Sequence, residues 1–250
     1  MKTVMTLMFA LFAFGNLAKA EDAAAPVADK AAFALDFGAE VDYFGFDNGV
    51  TVITPTVGFN IFEKLDFSAT LPVYNNSVET GIGDLNFGAE YSLLNGKCEF
   101  LGACCASLGV NAFVGVPLDG QFSSDNTTYT VGGDFGLGWS KFHYDQTLSY
   151  LFDSDGAVYV APLGGFVDSA VFSAASTLSY SFTDDMSAGV VFDQTYGSDS
   201  GQFLTLGPCA TYKVNDSVNF DFAIGFPVLQ EDMPYGEADF TLSAGLGFAF

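Results

Sequence analysis

From Ala31 to Phe250 the chain alternates apolar and polar residues with a period of two. That period belongs to strands with one apolar face, not to helices. The first segment, Ala31–Phe44, puts Phe33, Leu35, Phe37, Ala39, Val41 and Tyr43 on one face and Asp36, Gly38, Glu40 and Asp42 on the other. Eleven more segments repeat the pattern: 50–61, 65–74, 83–94, 105–117, 128–140, 142–152, 169–182, 186–196, 202–213, 218–228 and 237–250. The last alternates Ala238, Phe240, Leu242, Ala244, Leu246, Phe248 and Phe250 with small or polar residues. Most are long enough for a tilted strand to cross a bilayer, which takes about 9–11 residues. The pattern predicts an all-β chain: a transmembrane antiparallel up-and-down β-barrel of about 12 strands.

Connection lengths support this. Short ones at Phe62–Lys64, Asn95-Gly96, Lys141, Thr183–Asp185 and Asn215–Ser217 alternate with connections that are mostly longer, such as Leu118–Thr127 and Asp153–Asp168. Outer-membrane barrels have short periplasmic turns and longer outer loops. Closure leaves no unpaired backbone edge in lipid.

The first 30 residues do not alternate. Lys2, the apolar run Val4–Phe14 and Ala18-Lys19-Ala20 read as a secretory signal peptide over residues 1–20. Residues 21–30 read as a flexible periplasmic leader and 31–250 as the barrel. The expected location is therefore the cell outer membrane, with outer-membrane lipid as one partner.

Charge adds a second layer. The chain has 30 acids, seven lysines and no arginine, a formal charge of −23. Loss of Lys2 and Lys19 with the signal would leave all 30 acids and five lysines, a formal charge of −25. Nucleic acid is excluded as a partner, because its phosphates need a basic surface. If the apolar face meets lipid, the other face lines a lumen carrying Asp36, Glu40, Asp42, Asp66, Asp84, Glu90, Asp134, Asp145, Asp193, Asp221 and Asp239. Only Lys213, and His143 at the rim, oppose them, so the middle and upper lumen should be negative. Strand closure should set Asp36, Glu40 and Asp42 beside Asp239 and Thr241. Buried carboxylates without partners are costly, so either the lumen is wet or cations sit in it. Lys30, Lys64, Lys97, Lys141 and Lys213 all fall at the short-turn end.

Catalysis has little to work with. The single histidine, His143, sits beside a turn, and no Gly-x-Ser-x-Gly motif is present. The loop opening at Asp153 has Gly164 where an EF-hand needs Glu. No enzyme, cofactor or metal centre is expected. Cys98, Cys104, Cys105 and Cys209 would meet an oxidising compartment. Cys98 with Cys104 or Cys105 is the disulfide candidate, and the pairing stays open.

Two stretches carry a family resemblance: Thr54–Phe59 through Leu65–Tyr74, with its Leu71-Pro72 step, and Gly81-Ile82-Gly83-Asp84 through Tyr91. Together they resemble the outer-membrane transporter barrels associated with phenol meta-pathway gene clusters. The family usually has a basic residue just before that tyrosine, where this chain has Glu90. Terminal Phe250, with Phe248 two places before it, is similar to the signal read by the barrel-assembly machinery. The resemblance implies passive passage of small solutes, and the acidic lumen implies that neutral or cationic ones are preferred. The alternative is a closed structural or adhesive barrel whose acidic loops bind divalent cations.

Overall fold

The computed structural model describes residues 33–45, 49–61, 64–76, 80–96, 103, 105–118, 123, 126–153, 158–160, 165–167, 170–197, 201–231 and 238–249. The signal and leader segments, Lys30, Lys97, Cys98, Cys104 and Phe250 lie outside them.

The strands are β1 (Phe33–Phe44), β2 (Val50–Ile61), β3 (Leu65–Thr70), β4 (Val73–Asn76), β5 (Thr80–Ile82), β6 (Leu85–Gly96), β7 (Cys105–Val116) and β8 (Thr128–Trp139). They continue as β9 (Phe142–Asp153), β10 (Val158–Val160), β11 (Gly165–Val167), β12 (Val171–Ser181), β13 (Met186–Gly197), β14 (Gly201–Asn215), β15 (Val218–Glu231) and β16 (Thr241–Ala249). β1 pairs with both β2 and β16, so the main sheet closes on itself. Twelve antiparallel strands form the ring, as the alternation predicts: β1, β2, β3, β6, β7, β8, β9, β12, β13, β14, β15 and β16. β4 continues β3 along β2 after a break at Leu71-Pro72. β10 and β11 form a separate hairpin within the long connection after β9, which the alternation did not signal.

Two features of the ring depart from expectation. Asn95-Gly96 is not a two-residue turn. Asn95 and Gly96 remain in the ladder opposite Ser107 and Ala106, so the connection is residues 97–104. Within that connection Ala103 is buried in a cluster with Ala106 and Leu137, against Phe135 and Trp139. The last strand also starts later than its pattern suggests. Gln230 clamps Ala238 with two side-chain bonds, donating to its carbonyl (3.0 Å) and accepting from its amide (2.7 Å), while on the β1 side Asp239 and Phe240 keep backbone bonds to Gly45.

The faces sort by chemistry. Phe37, Val41, Val57, Val110, Leu148, Val190, Leu206 and Phe222 are all exposed on the outer face. In water such a continuous apolar surface would drive aggregation, whereas in lipid it is the required face. Outer aromatics gather towards the strand ends. Phe142, Tyr180 and Phe182 pack edge-on at the short-turn end, with Tyr212 nearby in the same band. Tyr129, Tyr150 and Phe152 pack at the loop end. Aromatic clusters at both strand ends suit the two interfaces of a membrane, and Phe226 adds an exposed ring between them.

Gln146 is an outward polar side chain whose hydrogen bonds are satisfied. Gln146 donates to the Ala175 carbonyl (2.9 Å), and its carbonyl accepts from Ser176 (2.6 Å) and Tyr144 (2.8 Å). Polar atoms facing hydrocarbon need such partners. Among the described residues, no helix is long and apolar enough to cross a membrane, which says nothing of strands.

Candidate functional site: the inner wall

Alternate residues of the ring strands point inward, and most are small: Ser, Thr, Gly and Ala. The carboxylates lie among them, and glycines on neighbouring strands make room for several. Asp134 lies over Gly109, where any Cβ would strike its carboxylate. Ser107 and Asp145 flank Gly136, and Asp221 sits beside Gly245.

The seam between β1 and β16 holds the tightest group. Asp42 is opposite Ser243, and Glu40 is opposite Gly245. Ser243 Oγ lies 2.7 Å from Glu40 Oε1 and 2.6 Å from Asp42 Oδ1. Glu40 is 4% exposed and Asp42 2%. The register differs from expectation: Asp36, Glu40 and Asp42 face Ala249, Gly245 and Ser243, while Thr241 faces Phe44. Asp239, expected on the inner wall, is exposed before the start of β16. There Asp239 and Phe240 both bond the backbone of Gly45, two residues against one, which shifts the alternation, and the neighbouring Ala238 is buried and held by Gln230.

Around the wall the other acids have distinct settings. Asp221 accepts from Thr211 Oγ1 (2.9 Å) and from Asn219 Nδ2 (2.8 Å). Asp193 accepts a long bond from Thr205 (3.4 Å). Asp66 accepts from Asn60 Nδ2 (2.6 Å) and faces Glu90 across the β3–β6 ladder. Asp84 accepts from Ser123 Oγ (2.6 Å), which in turn accepts from the Leu118 amide (2.8 Å), so this acid anchors the chain beyond β7. Asn111, which the sequence reading passed over, is buried with neither amide atom hydrogen-bonded.

The wall is not acidic throughout. Val50, Val52, Tyr74, Leu151, Val171 and Phe203 are all buried and all come from the loop-end parts of their strands. Val52 pairs with Tyr74, and Leu151 with Val171. These apolar side chains interrupt the acidic wall near the loop end, where buried Asp42 is the cross-strand partner of Val52. Stretches such as Val50-Thr51-Val52-Ile53 are apolar on both faces, so the alternation alone did not reveal which valines turn inward.

The family-like stretches meet at the end of the barrel that carries this layer. The Gly83 amide donates to the Pro72 carbonyl (2.9 Å). A Cβ on Gly83 would stand 2.5 Å from Tyr74 Cε2 and 3.1 Å from Pro72 Cγ. Only glycine lets the fully buried Tyr74 ring lie there.

At the short-turn end, Lys213 pairs with exposed Asp216 (3.3 Å), which draws its ammonium towards the turn. Lys64 and Lys141 are exposed at turns. Cys105 and His143 converge beside Gly138 on the inward side. The sequence placed these two on separate strands without joining them, and strand register brings them together. Cys209 is a buried thiol, in a cluster with Val191 and Ala223. Phe248 lies on the outer face and is exposed. Among the described residues, no group of three or more His, Cys, Asp or Glu side chains could hold a metal ion.

A family model described as "Putative MetA-pathway of phenol degradation" matches residues 27–241. The chain belongs to this family. The resemblance carried by residues 54–91 is therefore borne out across most of the chain. No curated protein matches it. Among solved structures, an outer membrane channel from Pseudomonas putida F1 is similar with a TM-score of 0.60 at 12% identity, over 90% of this chain and 100% of that one. The NanC porin is similar at 0.57 and 8% identity, over 86% of this chain and 98% of that one. The KdgM porin, solved in complex with disordered oligogalacturonate, is similar at 0.53 and 13% identity, over 87% and 99%. At such identities the likeness is one of fold.

Proposed function

We propose that this member of the phenol-degradation family is an outer-membrane channel for passive passage of small neutral or cationic solutes. The observation that carries the reading is the inner wall. Glu40, Asp42, Asp134, Asp145 and Asp221 are buried there, and the described lysines sit at the short-turn end, Lys213 held by Asp216. Carboxylates set in a low-dielectric wall focus a negative field on the lumen and favour cations. The short turns would face the periplasm, leaving the acidic loops outside. The layer of Val52, Tyr74, Leu151, Val171 and Phe203 would act as a constriction that water leaves readily and that solutes must cross. The barrel does no chemistry in this reading.

Purified protein in planar bilayers under a salt gradient tests it. The expected result is discrete conductance with a reversal potential of cationic sign. Anionic sign would overturn the selectivity. Silence would favour the second reading, a closed structural barrel, which the near-complete burial of Asp42, Tyr74 and Leu151 supports.

A further inference from the structure

Ser243 has one hydroxyl proton and two carboxylate neighbours. It can donate to Glu40 Oε1 or to Asp42 Oδ1, but not to both at once. The remaining short oxygen–oxygen contact needs a positive charge or a proton between its partners. The same spot holds further unmet oxygens. Glu40 Oε2, Asp42 Oδ2 and Thr54 Oγ1 are buried without a hydrogen-bond partner, and Thr54 is directly opposite Glu40 on β2. Leaving buried carboxylate oxygens unsatisfied is costly.

We propose that Glu40, Asp42, Ser243 and Thr54 form a binding site for a hard divalent cation, with Ca2+ matching both the charge and the ligands. All the donors are oxygen, which excludes the soft metals that prefer thiolate and imidazole. Two carboxylates balance two positive charges. Nearby groups fit this assignment. Asp221, one residue further along the row past Gly245, has both oxygens occupied by Thr211 and Asn219, so it contributes field rather than ligand. Cys209 and Ala223 continue the row of Ser243 and bring no cation of their own. The site lies on the closing seam, so its ion would tie the first strand to the last. The inference deepens the cation-preferring reading of the lumen, and binding does not require passage.

The test uses the full mature barrel folded in detergent, dialysed to equilibrium against radiolabelled Ca2+. One saturable ion per barrel is expected, with a Kd on the order of 10⁻⁴–10⁻³ M, as in extracellular modules. The Glu40→Gln/Asp42→Asn double variant should lose it, and Ser243→Ala should weaken it several-fold. Asp239→Asn, an exposed acid outside the site, should leave it intact. Ser243→Ala keeps both charges, so it remains informative if the double variant fails to fold. Undiminished binding in the folded variants would overturn the site. So would the absence of saturable binding together with a protonated-carboxyl infrared band that vanishes in Glu40→Gln, because a shared proton would then fill the gap. Bilayer conductance is read separately, so failure of the channel reading and failure of this site are distinguishable.

Discussion

Replacing Gly83 with alanine tests why the Leu71-Pro72 and Gly81–Asp84 stretches occur together. The added methyl would sit 2.5 Å from Tyr74 Cε2, 3.1 Å from Pro72 Cγ and 3.2 Å from the Tyr74 hydroxyl oxygen. Favourable carbon–carbon contact begins near ~3.5 Å, so the first overlap is about 1 Å deep. A flexible surface side chain would swing away. Tyr74 is 0% exposed and paired through its backbone with Val52 and Gly81, so it has nowhere to go. Overpacking of this kind costs about 1–3 kcal/mol. Tyr74→Ala alone would leave a cavity and cost about 3–5 kcal/mol by analogy with other large aromatics. In the double variant the methyl has an empty space to occupy, so the two costs should not add. A coupling of about 1–3 kcal/mol is expected. The assay is urea unfolding of barrels in lipid vesicles, followed by the electrophoretic mobility shift between folded and heated protein. Strict additivity, or a Gly83→Ala barrel as stable as the parent, would refute the reasoning.

Other outcomes follow from the two faces and the chain end. In barrels stripped of divalent ions, so that both carboxylates are uncompensated, neutralising Glu40 and Asp42 should move the reversal potential towards zero. Two charges at ~4 Å are each worth ~1 kcal/mol to an ion even at the dielectric constant of water, so the cation preference should fall about tenfold or more. The unmodified barrel should lose preference in 1 M salt, where screening cuts the reach of the field to ~3 Å. Acid below the ordinary carboxylate range, ~4, should act the same way by removing the charges; unchanged selectivity under both conditions would count against a carboxylate origin. Val190→Arg, on the exposed outer face in mid-strand, should destabilise the barrel in vesicles by ~2–4 kcal/mol, and a neutral effect would mean that face does not meet lipid. Deleting Phe250 should cut the yield of folded barrel in the membrane far more than deleting Glu21, and equal yields would remove the terminal aromatic from the assembly signal.

Period-two patterning determined the class of fold and the strand number before any contact was known, because one lipid-facing surface must repeat on every strand. It also determined which of the strand acids share a face, for example Glu40 and Asp42 two residues apart. The tertiary structure decided what those acids meet. Register along the β1–β16 seam placed Ser243, not Thr241, opposite Asp42, and a shift of two residues, which keeps every side chain on its face, is invisible to a pattern of period two. Asp239 is exposed where Gly45 bonds both Asp239 and Phe240 and Gln230 bonds the backbone of Ala238, local contacts that alternation does not encode. The apolar layer of Val52, Tyr74 and Phe203 arose where segments are apolar on both faces, so only pairing with neighbours chose the inward side. The resemblance in residues 54–91 was legible as a motif; its physical reason, a bare Gly83 beneath the Tyr74 ring, required the two strands to be side by side.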